Sequence, residues 1–270
     1  MPELPEVEVT RIGLAAQLVG SRVRSAVARV PALRYPLPAG FGRRLAGQHL
    51  AGIRRRGKYL LFDFDDGHLL VHLGMSGSLR LVAPGKPPRK HDHVDIDFDG
   101  KVLRFRDPRR FGACLWIAGD PADHPLLARL GMEPLAREFT AAALAAALDG
   151  RQSAIKPAIM DANIVVGVGN IYASESLHRA GIDPRTPAGR ISRSRLARLV
   201  PAIKATLRAA IRAGGSSLRD YVRSDGGPGD FQLRHRVYGR AGESCRVCGA
   251  PIRMLRQSNR ATYYCPRCQR

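Results

Sequence analysis

Val94-Asp95-Ile96-Asp97-Phe98-Asp99-Gly100 alternates three apolar side chains with three aspartates and ends on Asp-Gly. Successive side chains on a strand point to opposite faces, so a period of two predicts a strand with one face in a core and one in water. Asp-Gly supplies two residues that tolerate positive φ, which a tight hairpin turn requires. Asp66-Gly67 gives the same signal earlier in the chain. Short runs of this kind between residues 22 and 118 predict an antiparallel β-sandwich or barrel. Pro84-Gly85-Lys86-Pro87-Pro88 reads as a flexible loop inside it.

The flanks are helical. A helix is expected at about Glu6–Leu18, and the pattern changes again near Gly131–Arg137. Thr140–Leu148 is alanine-rich, and Arg193–Ala213 places apolar residues at helical spacing, with Pro201 near its start and Gly214-Gly215 as a stop. Residues 216–232, with Gly226-Gly227-Pro228-Gly229, read as a mobile loop. The expectation is an α+β multidomain chain. An N-terminal β-sandwich with flanking helices occupies 1–133, a helical domain 134–232, and a cysteine-bearing hairpin 233–270.

At 270 residues, 44% hydrophobic and 25% charged, the chain is long enough for more than one packed core and too apolar for a disordered protein. The net charge of +21 calls for a polyanionic partner, either nucleic acid or an anionic membrane surface. No apolar run approaches the ~20 residues of a membrane span, and the charged first twenty residues do not read as a signal peptide. A cytosolic protein is therefore expected, with no membrane partner.

Cys245-x2-Cys248 and Cys265-x2-Cys268 are separated by sixteen residues. Two such pairs fit four thiolates around one tetrahedral zinc, a closed structural site with no open position for catalysis. Thr262-Tyr263-Tyr264 reads as one strand of the hairpin that the metal holds. Nine arginines lie between Arg234 and Arg270 against one acid, Glu243, an imbalance suited to phosphate. The fifth cysteine, Cys114, reads as a core residue.

The chain opens Met1-Pro2-Glu3-Leu4-Pro5-Glu6. Loss of Met1 leaves Pro2 as a free secondary amine. An α-amino group titrates near ~7.7–8.0 against ~10.4 for lysine, so far more of it is uncharged at neutral pH. That amine can attack a carbonyl-like carbon and give an iminium, an electron sink for elimination. Glu3 and Glu6 stand beside it as carboxylates able to exchange protons. The competing reading is a proline-stiffened helix cap.

Four further motifs have both structural and functional readings. Gly167-Val168-Gly169-Asn170 precedes a helical run, where backbone amides and the Asn side chain suit an anion. Lys58, in Arg56-Gly57-Lys58-Tyr59, is either a strand-edge cation or a proton donor. His72-Leu73-Gly74-Met75-Ser76-Gly77 and Asp107-Pro108-Arg109-Arg110-Phe111-Gly112 are glycine-containing turns that place Met75, Arg109 and Phe111 at their tips. Core packing is the ordinary use of Met and Phe, and wedging a DNA stack the alternative.

Taken in order, the PELPEVE start, RGKYL, HLGMSGSLR, KHDHVD, DPRRFG, VGVGNIYASE and the terminal cysteine hairpin resemble the bacterial formamidopyrimidine-DNA glycosylase family nearly end to end. The resemblance implies a β-sandwich, a helical domain with a helix–two-turn–helix, and a zinc hairpin. It implies removal of oxidised purines (8-oxoguanine and formamidopyrimidines) from double-stranded DNA, followed by β,δ-elimination at the abasic site, in a monomer of the bacterial cytoplasm. Pro2 would attack C1′, Glu3 would be the acid, Lys58 the proton donor for β-elimination, and Arg260 the hairpin-tip residue assisting δ-elimination. His91, Arg109, Arg151, Asn170 and Lys156 would contact DNA, and Met75, Arg109 and Phe111 would intercalate. Phe231-Gln232-Leu233-Arg234-His235-Arg236 is more basic than the family pattern. The rival readings are the sister endonuclease VIII branch acting on oxidised pyrimidines, a non-catalytic zinc-hairpin DNA-binding protein, and a small-molecule Schiff-base enzyme.

Overall fold

The computed structural model describes residues 2–216, 224 and 226–270. Residues 217–223 and 225, most of the first half of the segment expected to be a loop, lie outside the described residues, as does Met1. Two compact units divide the chain: Met1–Ala128 with Ala213–Asp230, and Arg129–Arg212 with Phe231–Arg270.

The first unit begins with α1 (Leu4–Leu18). It starts two residues before the expected Glu6 because Pro5 occupies the first turn, where its missing N–H costs nothing, and Glu6 reaches back to accept the Glu3 N–H at 2.8 Å. Then follow β1 (Ser25–Ala28), α2 (Phe41–Leu45), β2 (Leu50–Arg56), β3 (Tyr59–Phe64), β4 (Gly67–His72), β5 (Ser78–Val82), β6 (Asp92–Asp97), β7 (Val102–Arg106) and β8 (Ala113–Ile117). They form two antiparallel four-stranded sheets, ordered β1-β6-β7-β5 and β2-β3-β4-β8. Phe62, Leu69 and Val71 of one sheet pack against Leu79, Val94, Ile96, Leu103 and Phe105 of the other, with α1 adding Val7, Leu14 and Leu18. A fully buried side chain of this size is worth ~1.5–3 kcal/mol, so this shared core holds the sandwich closed.

The strand that opened the sequence argument is β6. Asp99 (φ 43°) and Gly100 (φ 95°) make the expected turn into β7. The aspartates do not simply face water: Asp95 pairs with Arg29 and Arg104, and Asp97 with Arg24. Cys114 is buried in the core, and burial pushes its thiol up to about 12.

The second unit contains α3 (Ala141–Leu148), α4 (Ile155–Met160), α5 (Asn170–Ala180), α6 (Arg193–Arg212), β9 (Arg253–Gln257) and β10 (Arg260–Tyr264). A turn at residues 162–164 and a bend at 166–167 separate α4 from α5. Pro201 lies well inside α6 rather than near its start, and the helix continues through it because Leu196, Leu199, Val200, Ile203 and Leu207 form a continuous buried stripe. Among the described residues, no helix is long and apolar enough to cross a membrane.

Candidate functional site

Pro2 and Glu3 are buried in the first unit, Glu3 with 3% of its surface exposed. The neighbouring Glu6 carboxylate accepts the Glu3 N–H through Oε2 and the Ser216 N–H through Oε1, each at 2.8 Å. Glu6 thereby ties the head of α1 to a residue 210 positions away. Of the two carboxylates expected near the Pro2 amine, Glu6 is engaged in fixing backbone.

Lys58 occupies the two-residue turn between β2 and β3, where Gly57 has φ 57°. It is half-buried rather than a cation on an open strand edge. His72 lies close enough for Lys58 to act on it. Burial first, then Lys58 and Arg34, pushes the imidazole from 6.5 down to about 4. Tyr59 packs on the same ring, with centroids 4.7 Å apart, and His72 Nδ1 accepts the Gly74 N–H at 3.0 Å. That bond requires an unprotonated Nδ1, in keeping with a neutral ring.

Met75 and Phe111 are 39% and 46% exposed. The loops that carry them are rigidly joined. Asp107 is fully buried and accepts from Ser76 Oγ at 2.9 Å, Gly112 N at 2.7 Å and Arg109 N at 3.3 Å. Gly74 (φ 64°) approaches the other loop so closely that a Cβ there would lie 2.5 Å from Gly112 N. The Arg109 guanidinium stacks 4.8 Å from the Phe111 ring centroid. Exposed apolar side chains on a fixed tip suit insertion between bases. Nearby, His91 is held at φ 74°, and partial burial together with Lys90 and Arg106 keeps its imidazole below the usual value.

In the second unit, Asn170 is the first residue of α5. Its Nδ2 donates to Ala261 O at 3.0 Å and Tyr238 Oη at 3.4 Å, and its Oδ1 accepts from Lys156 at 2.5 Å. Lys156 is 1% exposed, and its ammonium also donates to Thr262 Oγ1 at 2.8 Å and Ala261 O at 3.1 Å. The resemblance implies a DNA contact at Lys156; the structure has a buried tie between α4, the head of α5 and β10. Arg260 is exposed beside the Ser258-Asn259 turn, where φ is 47° and 60°. Lys156, Asp161, Gln257, Ser258 and Arg260 line a cavity of about 250 Å³. Arg151 donates to Ala147 O at 3.2 Å and lies 3.5 Å from the carboxylate of Asp161, which lines the same cavity.

The four cysteines converge with all Sγ atoms within 4.8 Å of one another, at 3.4 Å for Cys248–Cys265 and 3.9 Å for Cys245–Cys268. A tetrahedron of Zn–S bonds of about 2.3 Å has edges near ~3.8 Å, so the donor set fits zinc. His178 Nε2 lies 3.6 Å from Cys245 Sγ and supplies a contact behind the ligand.

Sequence reading missed Asp107, Ser76, His72 and Glu175. Asp107 and Ser76 stood inside quoted motifs, but nothing in the chain order says that they meet. Glu175 accepts the backbone N–H groups of Arg236, Val237 and Tyr238, each at 2.9 Å. The basic segment it anchors leaves Arg234 and Arg236 exposed and buries His235.

Three family models match the chain. Residues 1–114 match the formamidopyrimidine-DNA glycosylase N-terminal domain, 130–222 its H2TH domain, and 242–270 the zinc finger found in FPG and IleRS. With the thiol cluster, the last match assigns one structural zinc. A formamidopyrimidine-DNA glycosylase of Methylococcus capsulatus is 56% identical over the full length of both chains. A Lactococcus lactis FPG variant in complex with Fapy-dG-containing DNA superposes with a TM-score of 0.92 at 36% identity, covering all of both chains. The Lactococcus lactis protein in complex with abasic-site DNA gives 0.91 at 36%, covering 99% of each.

Proposed function

The chain belongs to the formamidopyrimidine-DNA glycosylase family, and from that premise we propose that it excises oxidised purines from double-stranded DNA by covalent catalysis at Pro2 and then cleaves the strand. The observation that carries this reading is the burial of Pro2 and Glu3 together at the head of α1, fixed by Glu6. A terminal amine there sits in a weakly solvated site beside one carboxyl group, and desolvation favours its uncharged, nucleophilic form.

In this mechanism the Pro2 nitrogen forms a bond to C1′ as the glycosidic bond breaks, and its electron pair leaves with the base. Glu3 protonates the sugar oxygen, opening the ring to the iminium. That cation acidifies the C2′ proton, whose loss expels the 3′ phosphate, and a second elimination expels the 5′ phosphate. Lys58 and Arg260 serve as proton donors to these later steps. Met75, Arg109 and Phe111 fill the gap left by the extruded nucleotide, which offsets the few kcal/mol of unstacking. His91, Arg151 and Asn170 grip backbone phosphates, and Lys156 acts by holding Asn170 and the hairpin tip in register. Zinc braces that hairpin. We assign the protein to the bacterial cytoplasm as a monomer, with functional segments at 1–133, 134–232 and 233–270.

Borohydride trapping on a duplex containing 8-oxoguanine tests the proposal. A covalent adduct is expected with the processed chain and none with Pro2→Ala or with a tag ahead of Pro2. An adduct that persists on the tagged chain overturns the assignment of the nucleophile. Absence of any adduct with intact DNA binding favours the non-catalytic hairpin protein.

A further inference from the structure

The outer face of the β5–β7–β6 sheet carries positive charge that the fold does not neutralise. The register sets Arg80 directly opposite Arg104, with Asp95 on the other side of Arg104, and sets Asp92 opposite Arg106. Alternation puts these side chains on the face away from Leu79, Leu103 and Phe105, which lie in the core. Like charges directly opposite on an antiparallel pair repel. Arg104 is compensated: it meets Asp95 through two nitrogens at 2.8 Å and the carbonyls of Lys86 and Pro87 at 2.9 and 3.1 Å. Arg106 donates to Lys90 O at 2.6 Å and lies 3.5 Å from Asp92.

Arg80 has no such compensation. Its Nε meets Ser78 Oγ at 3.3 Å, and among the described residues no ion pair to it is present. The loop that follows β5 brings Lys86 and Arg89 over the same face. Arg80, Lys86, Arg89, Arg104, Arg106 and the one acid Asp92 line a pocket of about 260 Å³. Burial, then Arg106, and further Arg89, hold the Arg80 guanidinium below its usual value against the partial relief from Asp92.

We propose that this pocket is a phosphate-binding site, formed by residues other than those given the reaction and DNA contacts above. Guanidinium groups present paired N–H donors that match phosphate oxygens, and a bound oxyanion offsets the repulsion between Arg80 and its cationic neighbours. A volume several times the ~30 Å³ share of a water molecule accommodates a phosphate with its remaining hydration. Two sources share this chemistry. One is a backbone phosphate of a bound duplex; Arg106 also acts on His91, so that source rests on the DNA reading above. The other is a free phosphorylated ligand, which does not.

The zinc-loaded full chain is titrated with inorganic pyrophosphate at constant ionic strength, observing arginine Nε–Hε resonances. Saturable shifts at Arg80 and Arg106 are expected, with at least tenfold weaker binding in the Arg80→Gln/Arg89→Gln double variant. Its melting temperature is expected to hold or rise, because like charges have been removed. Lys86→Gln with Arg89→Gln, both on the exposed loop, gives the same readout if the first pair does not fold. No saturable shift, or unchanged affinity in the folded variants, overturns the site. Salt-dependent binding of undamaged duplex then assigns the source. A salt slope shallower by about 0.9 per lost contact identifies a backbone phosphate, and an unchanged slope with pyrophosphate binding lost identifies a free ligand. The pyrophosphate result stands whatever the outcome of borohydride trapping.

Discussion

The Asp107 carboxylate accepts the Ser76 hydroxyl at 2.9 Å across 31 residues of chain, joining the loop that carries Met75 to the loop that carries Arg109 and Phe111. The three expected intercalating residues are therefore presented by one rigid body, so opening a base step does not also require ordering the wedge.

Asp107→Ala removes the acceptor of Ser76 Oγ, Arg109 N and Gly112 N in a site with no exposure. Buried donors left unmatched cost ~1–3 kcal/mol each, relieved in part by local opening. Urea unfolding is expected to show a loss of about 2–4 kcal/mol. Single-turnover excision is expected to fall at least tenfold, with much smaller loss of affinity for undamaged duplex. Equal losses in both would show that the clamp does not serve the wedge.

His72 ties stability to pH. The unfolded chain takes up this proton near 6.5 and the folded chain only near about 4, so the unfolded state binds more protons between those values. The contribution is fully present above about 6.5 and is lost as pH falls towards about 4, at most about 3 kcal/mol. Unfolding free energies measured at pH 7.5 and 5 should differ less in His72→Gln than in the parent. An unaltered difference would place the pH dependence elsewhere.

Lys156→Met removes the ammonium donor to Asn170 Oδ1 and Thr262 Oγ1, while Ala261 O keeps the Asn170 Nδ2–H. Loss of about 2–4 kcal/mol of stability is expected. DNA affinity should fall through misplacement of Asn170 and the hairpin, with a nearly unchanged salt slope. Arg260→Gln, at an exposed tip, should instead leave stability within about 0.5 kcal/mol and reduce the slope by about 0.9. A slope reduced equally in both variants would make Lys156 a direct phosphate contact.

Metal removal by a chelator, or Cys248→Ala, is expected to release one zinc per chain and to weaken duplex binding tenfold or more, since Arg260 is carried on the hairpin beside the four-thiolate cluster. Pro2 chemistry towards free sugars should continue. Metal-content analysis alongside binding isotherms checks this, and undiminished affinity in the metal-free chain would sever the hairpin from DNA binding.

Features encoded by local chemistry are legible in the chain. Alternation in Val94–Phe98 and the Asp-Gly turn gave a half-buried strand and its hairpin, because side-chain direction has a period of two whatever the partner strand. Two CxxC pairs gave the metal, because four thiolates at that spacing have one common solution. The motif order gave the family, and Pro2 its candidate chemistry. Tertiary structure decided which charges are compensated and which are not. Arg80 and Arg104 look alike in sequence, yet sheet register gives Arg104 the Asp95 carboxylate and leaves Arg80 facing a pocket. Lys156 is expected to contact DNA, yet Asn170, Ala261 and Thr262 converge on its buried ammonium. Asp107, Glu6 and Glu175 became structural ties by the same route. Their partners lie 31, 210 and 61–63 residues away, and such pairings are set by packing of the core, to which local sequence carries no signal.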